Sequence, residues 1–255
     1  MNEQPTVIVG TLRPPGYNTA LCIKLAAQGG MGLDLPTFDI LPCPLTPTET
    51  VLLHTLTPDD WLIATSQHVA ASLPLPLPAT QRLAIGRQTA TTLHTYTTLS
   101  WPTPPQAHSE ALLTYLRTQT IAHHARIILL SGEGGRDIIQ HTLQAAGYDV
   151  QKWICYQRQF RLWSPEAVQQ LHQTPPHVWL AFSGETLHFL KQNLIHYQLT
   201  TLQHIPVLAI SERIVKVGQS LGFSECRLVS QEKLLPVFSQ WHCKRQQDRK
   251  TRSLT

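Results

Sequence analysis

The chain has 255 residues, 42% of them hydrophobic and 14% charged, enough apolar material for two domains of ordinary size and too much for a disordered chain. Lys and Arg total 20 against 16 Asp and Glu, but Lys244–Thr255 holds five of the basic groups against one acidic, so the body up to Cys243 keeps 15 of each and is neutral, which excludes a domain built to grip nucleic acid. With no apolar run of about 18 residues and no basic-then-apolar lead after Met1-Asn2-Glu3-Gln4, neither a membrane span nor an export signal is expected, and the chain reads as soluble and cytoplasmic.

Thr6–Gly10 (TVIVG) opens a series of short Val-, Ile- and Leu-rich runs, each followed by a helical pattern. Trp61–Thr65 (WLIAT) comes next, then the Pro-rich stretch Pro74–Pro78, the run Leu83–Gly86 (LAIG) and a second Pro-rich stretch, Pro102–Pro105. Pro locks φ and removes a backbone donor, so both stretches read as extended surface connectors. Arg126–Ser131 (RIILLS) follows, then a β-like segment, Val150–Arg158 (VQKWICYQR), and then Val178–Phe182 (VWLAF) and Val207–Ser211 (VLAIS). Continuous apolar runs fit strands covered on both faces, and their alternation with helices implies right-handed βαβ units: an α/β fold with parallel sheets. The basic tail, 244–255, reads as a solvated, disordered end. The five cysteines (Cys22, Cys43, Cys155, Cys226 and Cys243) are odd in number and form no C-x-x-C pair; they read as reduced, mostly packed thiols.

The chain also resembles itself. The unit from Thr6 is similar to the one from Arg126, that from Asp60 (DWLIATSQHVAASL) to that from His177 (HVWLAFSGETLHFL), and that from Arg82 to that from Val207. The order of unit types is A-B-C-A-B-C, so two half-molecules of one architecture are expected. Two unrelated βα units also look alike in outline; the agreement in spacing of three pairs favours duplication.

Familiar catalytic motifs fail. G-x-S-x-G breaks around Ser183, where Ala181 and Glu185 flank, and G-x-G-x-x-G breaks at Asp137 after Gly132 and Gly134. The 13 histidines show no metal-ligand spacing, and His123-His124 read as helix-surface residues. What recurs is a junction. Thr65-Ser66-Gln67, Gly86-Arg87-Gln88-Thr89, Ser131-Gly132-Glu133-Gly134-Gly135, Phe182-Ser183-Gly184 and Ser211-Glu212-Arg213 each place a small or hydroxyl residue where a strand hands over to a helix. One such junction is ordinary helix capping. Five of them, at the carboxyl ends of strands in two domains, suit a ligand with many carboxylates held by helix N-termini. Tyr156 stands at the end of its strand, where two readings stay open: a packed ring with a satisfied hydroxyl, or a phenol turned into a cleft as donor or general acid.

At these residues the chain resembles the uroporphyrinogen-III synthase family. The matching stretches are Trp61–Leu73 (A-T-S-Q-H), Arg82–Tyr96 (A-I-G-R-Q-T-A), Ile127–Arg158 (S-G-E-G-G-R and C-Y-Q-R), Val178–Leu190 and Val207–Leu221 (A-I-S-E-R), in one order from about Val7 to Val229. The resemblance implies two similar parallel-sheet α/β domains joined by a two-stranded connection, the first domain discontinuous: 1–38 with 161–243, and 39–160. It implies a cofactor-free, metal-free lyase that acts as a monomer. The substrate would be hydroxymethylbilane, a linear tetrapyrrole with eight carboxylates, held in an interdomain cleft and closed to uroporphyrinogen III with loss of water and inversion of ring D. Loss of the hydroxyl gives an azafulvene, then a spiro intermediate that reopens and recloses. The family tyrosine matches Tyr156, proposed to assist departure of the hydroxyl, and family cleft residues match Ser66, Thr89, Ser183 and Gly184. With the junction residues Gln67, Gly132, Gly134, Gly135 and Ser211 these form the expected substrate site. The chain departs from the family at Gly10-Thr11-Leu12-Arg13-Pro14, in place of a plain T-R-P, and at Ser211-Glu212-Arg213-Ile214, where many relatives carry G-P-T-T. Two competitors remain at this level: a bilobal protein that binds an anion without chemistry, and an idle copy that binds a partner through its Pro-rich loops and tail.

Overall fold

Runs with no polar member form the middle of each sheet. Every residue of Trp61–Ala64 and of Val178–Ala181 is buried, as expected of strands covered on both faces. The computed structural model describes residues 7–27, 30–134 and 137–229; the basic tail, Cys243 and Gly135 lie outside the described residues. In chain order these residues form β1 (Ile8–Thr11), α1 (Thr19–Ala26), β2 (Met31–Asp34), β3 (Phe38–Pro42), α2 (Pro47–His54), β4 (Trp61–Ala64), a 3-10 turn (Gln67–Ser72), β5 (Gln81–Ala84), α3 (Arg87–Thr97) and α4 (Ser109–Leu116). There follow β6 (Arg126–Gly132), α5 (Ile138–Ala145), β7 (Asp149–Phe160), α6 (Pro165–Gln173), β8 (Val178–Ala181), α7 (Gly184–His196), a second 3-10 turn (Thr200–His204), β9 (Val207–Ala209), α8 (Glu212–Ser220) and β10 (Cys226–Leu228).

The chain divides into two units, one comprising Met1–Asp39 and Phe160–Thr255, the other Ile40–Gln159. The sheet of unit one runs β10-β9-β8-β1-β2, all parallel, and that of unit two β3-β7-β6-β4-β5. In unit two the pairs β7·β6, β6·β4 and β4·β5 are parallel. β3 is antiparallel to β7, because Cys43 N donates to Cys155 O (2.8 Å) while Arg161 N donates to Thr37 O (2.9 Å), so numbers rise on one strand as they fall on the other. β3 and β7 both pass the division of the chain, and they are the two-stranded connection that the family resemblance implied.

The assembly is crossed. β1 pairs with β8 (Val9 opposite Val178) and β6 with β4 (Leu62 opposite Ile128), so each A strand lies beside the B strand of the other half of the sequence. Strand order is then the same in both units, β9-β8-β1-β2 matching β5-β4-β6-β7. The likeness extends to a backbone clamp at the start of the A strand. In unit two Asp60 Oδ1, just before β4, accepts from Arg126 N (2.7 Å); in unit one His177 Nδ1, just before β8, accepts from Ile8 N (3.1 Å).

Each sheet is covered on both faces by alternate residues of the same strands. Ile127 and Leu129 of β6 join Ile63, Leu83, Leu112 and Leu143 on one side, and Ile128 and Leu130 join Leu62, Ala64, Leu93 and Trp153 on the other. In unit one Trp179 and Ala181 pack with Leu33, Leu187 and Leu194, while Val178 and Leu180 pack with Val9, Leu25 and Leu208. The strands that the apolar runs do not announce, β2 (MGLD), β3 (FDILP) and β10 (CRL), are edge strands, half solvated and without a continuous apolar run. Two local expectations are corrected. Only a 3-10 turn follows β4, and His123-His124 lie in a turn before β6 rather than on a helix. Among the described residues no helix is long and apolar enough to cross a membrane.

Candidate active site

Between β6 and β7 the register slips: Ser131 lies opposite Ile154 but Gly132 lies opposite Tyr156, leaving Cys155 as the extra residue of a β-bulge. The Cys155 carbonyl is held by Cys43 N and by the Ser72 hydroxyl. Burial pushes its thiol up to about 12, so Cys155 is a packing group beside the site rather than a nucleophile. The bulge turns Tyr156 over Gly132. A Cβ at position 132 would lie 2.6 Å from Cε2 and 2.7 Å from Oη of that ring, so the ring has its seat only because the residue is glycine. Glu133 N donates to the Tyr156 carbonyl (2.8 Å) and fixes the strand end.

Tyr156 is 3% exposed and belongs to a core cluster of unit two, yet its tip is in charged company. Arg158 Nη2 donates to Oη (3.2 Å), and the guanidinium carbon stands 5.4 Å over the ring centre. The His68 ring meets the Tyr156 ring edge-on at 5.2 Å. His68 is brought there by Ser66, whose Oγ accepts from His68 N (3.3 Å) and caps the 3-10 turn after β4. Gln67 on the same turn accepts through Oε1 from Thr92 Oγ1 of α3 (3.3 Å). Thr89 lies buried in the first turn of α3, whose cap residue, Gly86, has no side chain to occupy the helix N-terminus. Ser66, Gln67, Thr89, Gly132 and Tyr156 thus all belong to one unit, with Tyr156 within β7 at the bulge rather than at the strand's end.

The glycine-rich junction differs from the expectation that it opens a helix. α5 begins at Ile138 with Asp137 in the cap position, and that carboxylate pairs with Lys152 Nζ (2.6 Å) instead of capping. Gly132 belongs to the strand, and Gly134 to a turn at φ +69°, a left-handed conformation that favours glycine. Neither is at a helix start, because a carboxylate occupies that place.

In unit one, two helix starts are capped by serine. Ser183 Oγ accepts from Thr186 N (3.2 Å) and lies 2.7 Å from Thr186 Oγ1; Ser211 Oγ accepts from Ile214 N (3.4 Å). Gly184 is buried against α8, where a Cβ would come 3.1 Å from Val217 Cγ2, so its smallness serves helix packing. Arg13, just after β1, lies 4.9 Å over the ring of Phe182, the residue before Ser183, and donates through Nη1 to the Tyr17 carbonyl (3.3 Å). Burial lowers its basicity, but a guanidinium stays cationic. A cation beside the serine-capped start of α7 suits a carboxylate. Among the described residues no group of three or more His, Cys, Asp or Glu side chains is placed to hold a metal ion.

The family model described as uroporphyrinogen-III synthase HemD matches residues 20–233, a span that takes in every one of these strand ends except that of β1. The chain belongs to the uroporphyrinogen-III synthase family. It is 31% identical over 227 residues to the uroporphyrinogen-III synthase of Salmonella typhimurium strain LT2, and 30% identical over the same length to that of Escherichia coli K12, with 85% of this chain and 92% of the relative covered in each case. Among solved structures it is similar in fold to a mutant uroporphyrinogen III synthase from the extremely thermophilic bacterium Thermus thermophilus (TM-score 0.55, 19% identity, covering 95% of this chain and 100% of the other). It is likewise similar to the uroporphyrinogen-III synthetase of Helicobacter pylori 26695 (TM-score 0.55, 15% identity, covering 93% and 100%). Three neighbours of the expected site, Arg158, His68 and Arg13, were not assigned to it from the sequence, although the stretches C-Y-Q-R, A-T-S-Q-H and Thr11-Leu12-Arg13-Pro14 contain them. For Arg158 a spacing of two on a strand also puts it on the face of Tyr156.

Proposed function

We propose that this chain does what its family membership describes. It cyclises hydroxymethylbilane to uroporphyrinogen III with loss of water and inversion of ring D, as a lyase of tetrapyrrole and heme biosynthesis. The observation that carries this is the family match over 20–233, supported by two relatives at 30% identity or above over most of both chains. An anion-binding protein without catalysis is not favoured by these matches.

The roles of individual residues follow from their chemistry. The serine-capped starts of α7 and α8, with Arg13, take substrate carboxylates in unit one; the Gly86-capped start of α3, with Thr89, and the Ser66 turn, with Gln67, do so in unit two. Tyr156 is the proton donor for dehydration. Its proton passes to the hydroxymethyl oxygen as the C–O bond breaks and water leaves; the pyrrole nitrogen supplies the electron pair that forms the azafulvene. The phenol is restored by the proton that the free α-carbon of the last pyrrole gives up on closure. Holding the chain ends so that inversion outruns direct closure is a positioning effect. We place the reaction in the cytoplasm on a single copy of the chain. Incubation with freshly made hydroxymethylbilane, followed by isomer analysis, tests the proposal: uroporphyrinogen III is expected, and closure to the I isomer at the spontaneous rate would overturn it.

A further inference from the structure

Among the described residues the Tyr156 phenol makes one hydrogen bond, and in it the oxygen accepts: Arg158 Nη2 donates at 3.2 Å. Among the described residues no acceptor takes the phenol's own O–H, although the ring is 3% exposed. A buried tyrosine that serves packing alone is ordinarily satisfied by giving its proton to a carbonyl or carboxylate. Here a group that can only donate occupies the oxygen, and the proton is left available. Arg158 has the means to hold that arrangement. It sits two residues further along the same strand, its guanidinium lies 5.4 Å over the ring, and its other terminal nitrogen approaches the Glu133 carbonyl at 3.5 Å. Gly132 beneath the ring leaves no room for a residue with a Cβ, so the ring is fixed from below as its oxygen is fixed from the side.

We infer that Arg158 is the positioning residue of the reaction: it orients the Tyr156 O–H toward substrate and meets the charge left on Oη when the proton departs. The inference rests on the functional reading above. As the proton moves from Oη to the leaving hydroxyl and the C–O bond breaks, the Arg158 hydrogen bond changes from neutral-acceptor to charged-acceptor and strengthens. An interaction stronger in the transition state than in the ground state acts on kcat and leaves KM nearly alone.

The test is a double-mutant cycle on the full chain, with kcat, KM and the ratio of III to I isomer measured for wild type, Arg158→Met, Arg158→Lys, Tyr156→Phe and Tyr156→Phe with Arg158→Met. Arg158→Met should lower kcat by about tenfold with KM within about twofold, and raise the share of I isomer. Arg158→Lys, which keeps the charge, should recover part of kcat. In the Tyr156→Phe background Arg158→Met should change nothing further, because the atom through which it acts is gone. Full multiplicative loss in that background, or a rise in KM as the main effect, overturns the inference and makes Arg158 a carboxylate contact. An unchanged Arg158→Met overturns it as well, as does a fully active Tyr156→Phe. If Arg158→Met does not fold, the Arg158→Lys variant alone and on Tyr156→Phe decides by the same criterion. A wild-type chain that leaves the bilane to close spontaneously overturns the functional reading, and only then does the inference fall with it.

Discussion

Unit one and unit two are built on the same strand order and share a clamp at the amino ends of their strands, yet they differ at the carboxyl ends. Where unit two sets Gly132 opposite Tyr156, unit one sets Thr11 opposite Asp34, whose Oδ1 accepts from Asn18 Nδ2 (2.5 Å). Unit one offers capped helix starts and a half-buried arginine, chemistry that suits anions. Unit two adds a β-bulge, an aromatic hydroxyl and the arginine bonded to it, the groups to which the proposed function gives the proton transfer. One strand order thus carries two different sets of strand ends. The bulge is the device, since a single extra residue re-aims one side chain without disturbing the sheet below it.

The clamps offer the largest test of the likeness. Asp60, 2% exposed, accepts from Arg126 N and Nη2 and from Thr57 N, each at 2.7 Å, whereas in unit one His177 Nδ1 accepts from Ile8 N at 3.1 Å. Asp60→Ala should cost about 3–5 kcal/mol, because Arg126 is left without its buried partner, and His177→Ala about 1 kcal/mol. Urea denaturation followed by tryptophan fluorescence reads both, and equal losses would break the distinction. Burial alone would raise the Asp60 carboxyl, but hydrogen bonds from Arg126 and Thr57 outweigh it and hold the group well below the usual carboxylate range. A depressed folded-state value means a contribution fully present above an ordinary carboxylate value of about 4 and lost as pH falls below it. Wild type should thus lose stability below about pH 4 more steeply than Asp60→Asn.

Tyr156→Phe should lower kcat by roughly 10- to 100-fold in a protein that stays folded, as only the hydroxyl leaves a packed ring. The I isomer should rise as spontaneous closure competes. A fully active variant yielding pure III isomer would make the tyrosine structural.

Two glycine seats sharpen the comparison further. A Cβ at Gly10 would fall 2.5 Å from Cζ3 of the fully buried Trp179, just as one at Gly132 would fall on Tyr156. Gly10→Ala should destabilise by about 1–3 kcal/mol with unchanged kcat per folded molecule. Gly132→Ala should lower kcat at least as far as Tyr156→Phe, and a kcat equal to wild type would show the ring's position to be immaterial.

Smaller effects are expected where many contacts share the load. Ser183→Ala should act mainly on KM, by a few-fold, and lower stability by about 1 kcal/mol through the lost cap. A large fall in kcat instead would move Ser183 into the chemistry. Dialysis against a chelator should leave turnover unchanged, and loss restored by Zn²⁺ or Mg²⁺ would overturn the cofactor-free expectation.

Five of the six apolar runs by themselves determined the interior strands β1, β4, β6, β8 and β9, since strands covered on both faces favour continuous apolar runs. The sixth, Leu83–Gly86, marks the edge strand β5, and interior β7 was legible only as a β-like segment. The edge strands β2, β3 and β10 left no such trace, because one side of each faces water. The small and hydroxyl residues at Ser66, Gly86, Ser183 and Ser211 were legible as helix starts, since capping is a local interaction within three residues of chain. The role of Gly132 was not, because what it accommodates is an aromatic ring on the neighbouring strand. Only the tertiary structure decided the pairing of β1 with β8 and of β6 with β4, the slip that turns Tyr156 over Gly132, and the meeting of Arg158 and His68 around it. Those depend on register between segments far apart in the chain, and a local pattern of residues specifies a strand and its faces but not which distant strand lies against it, or where along it the pairing slips.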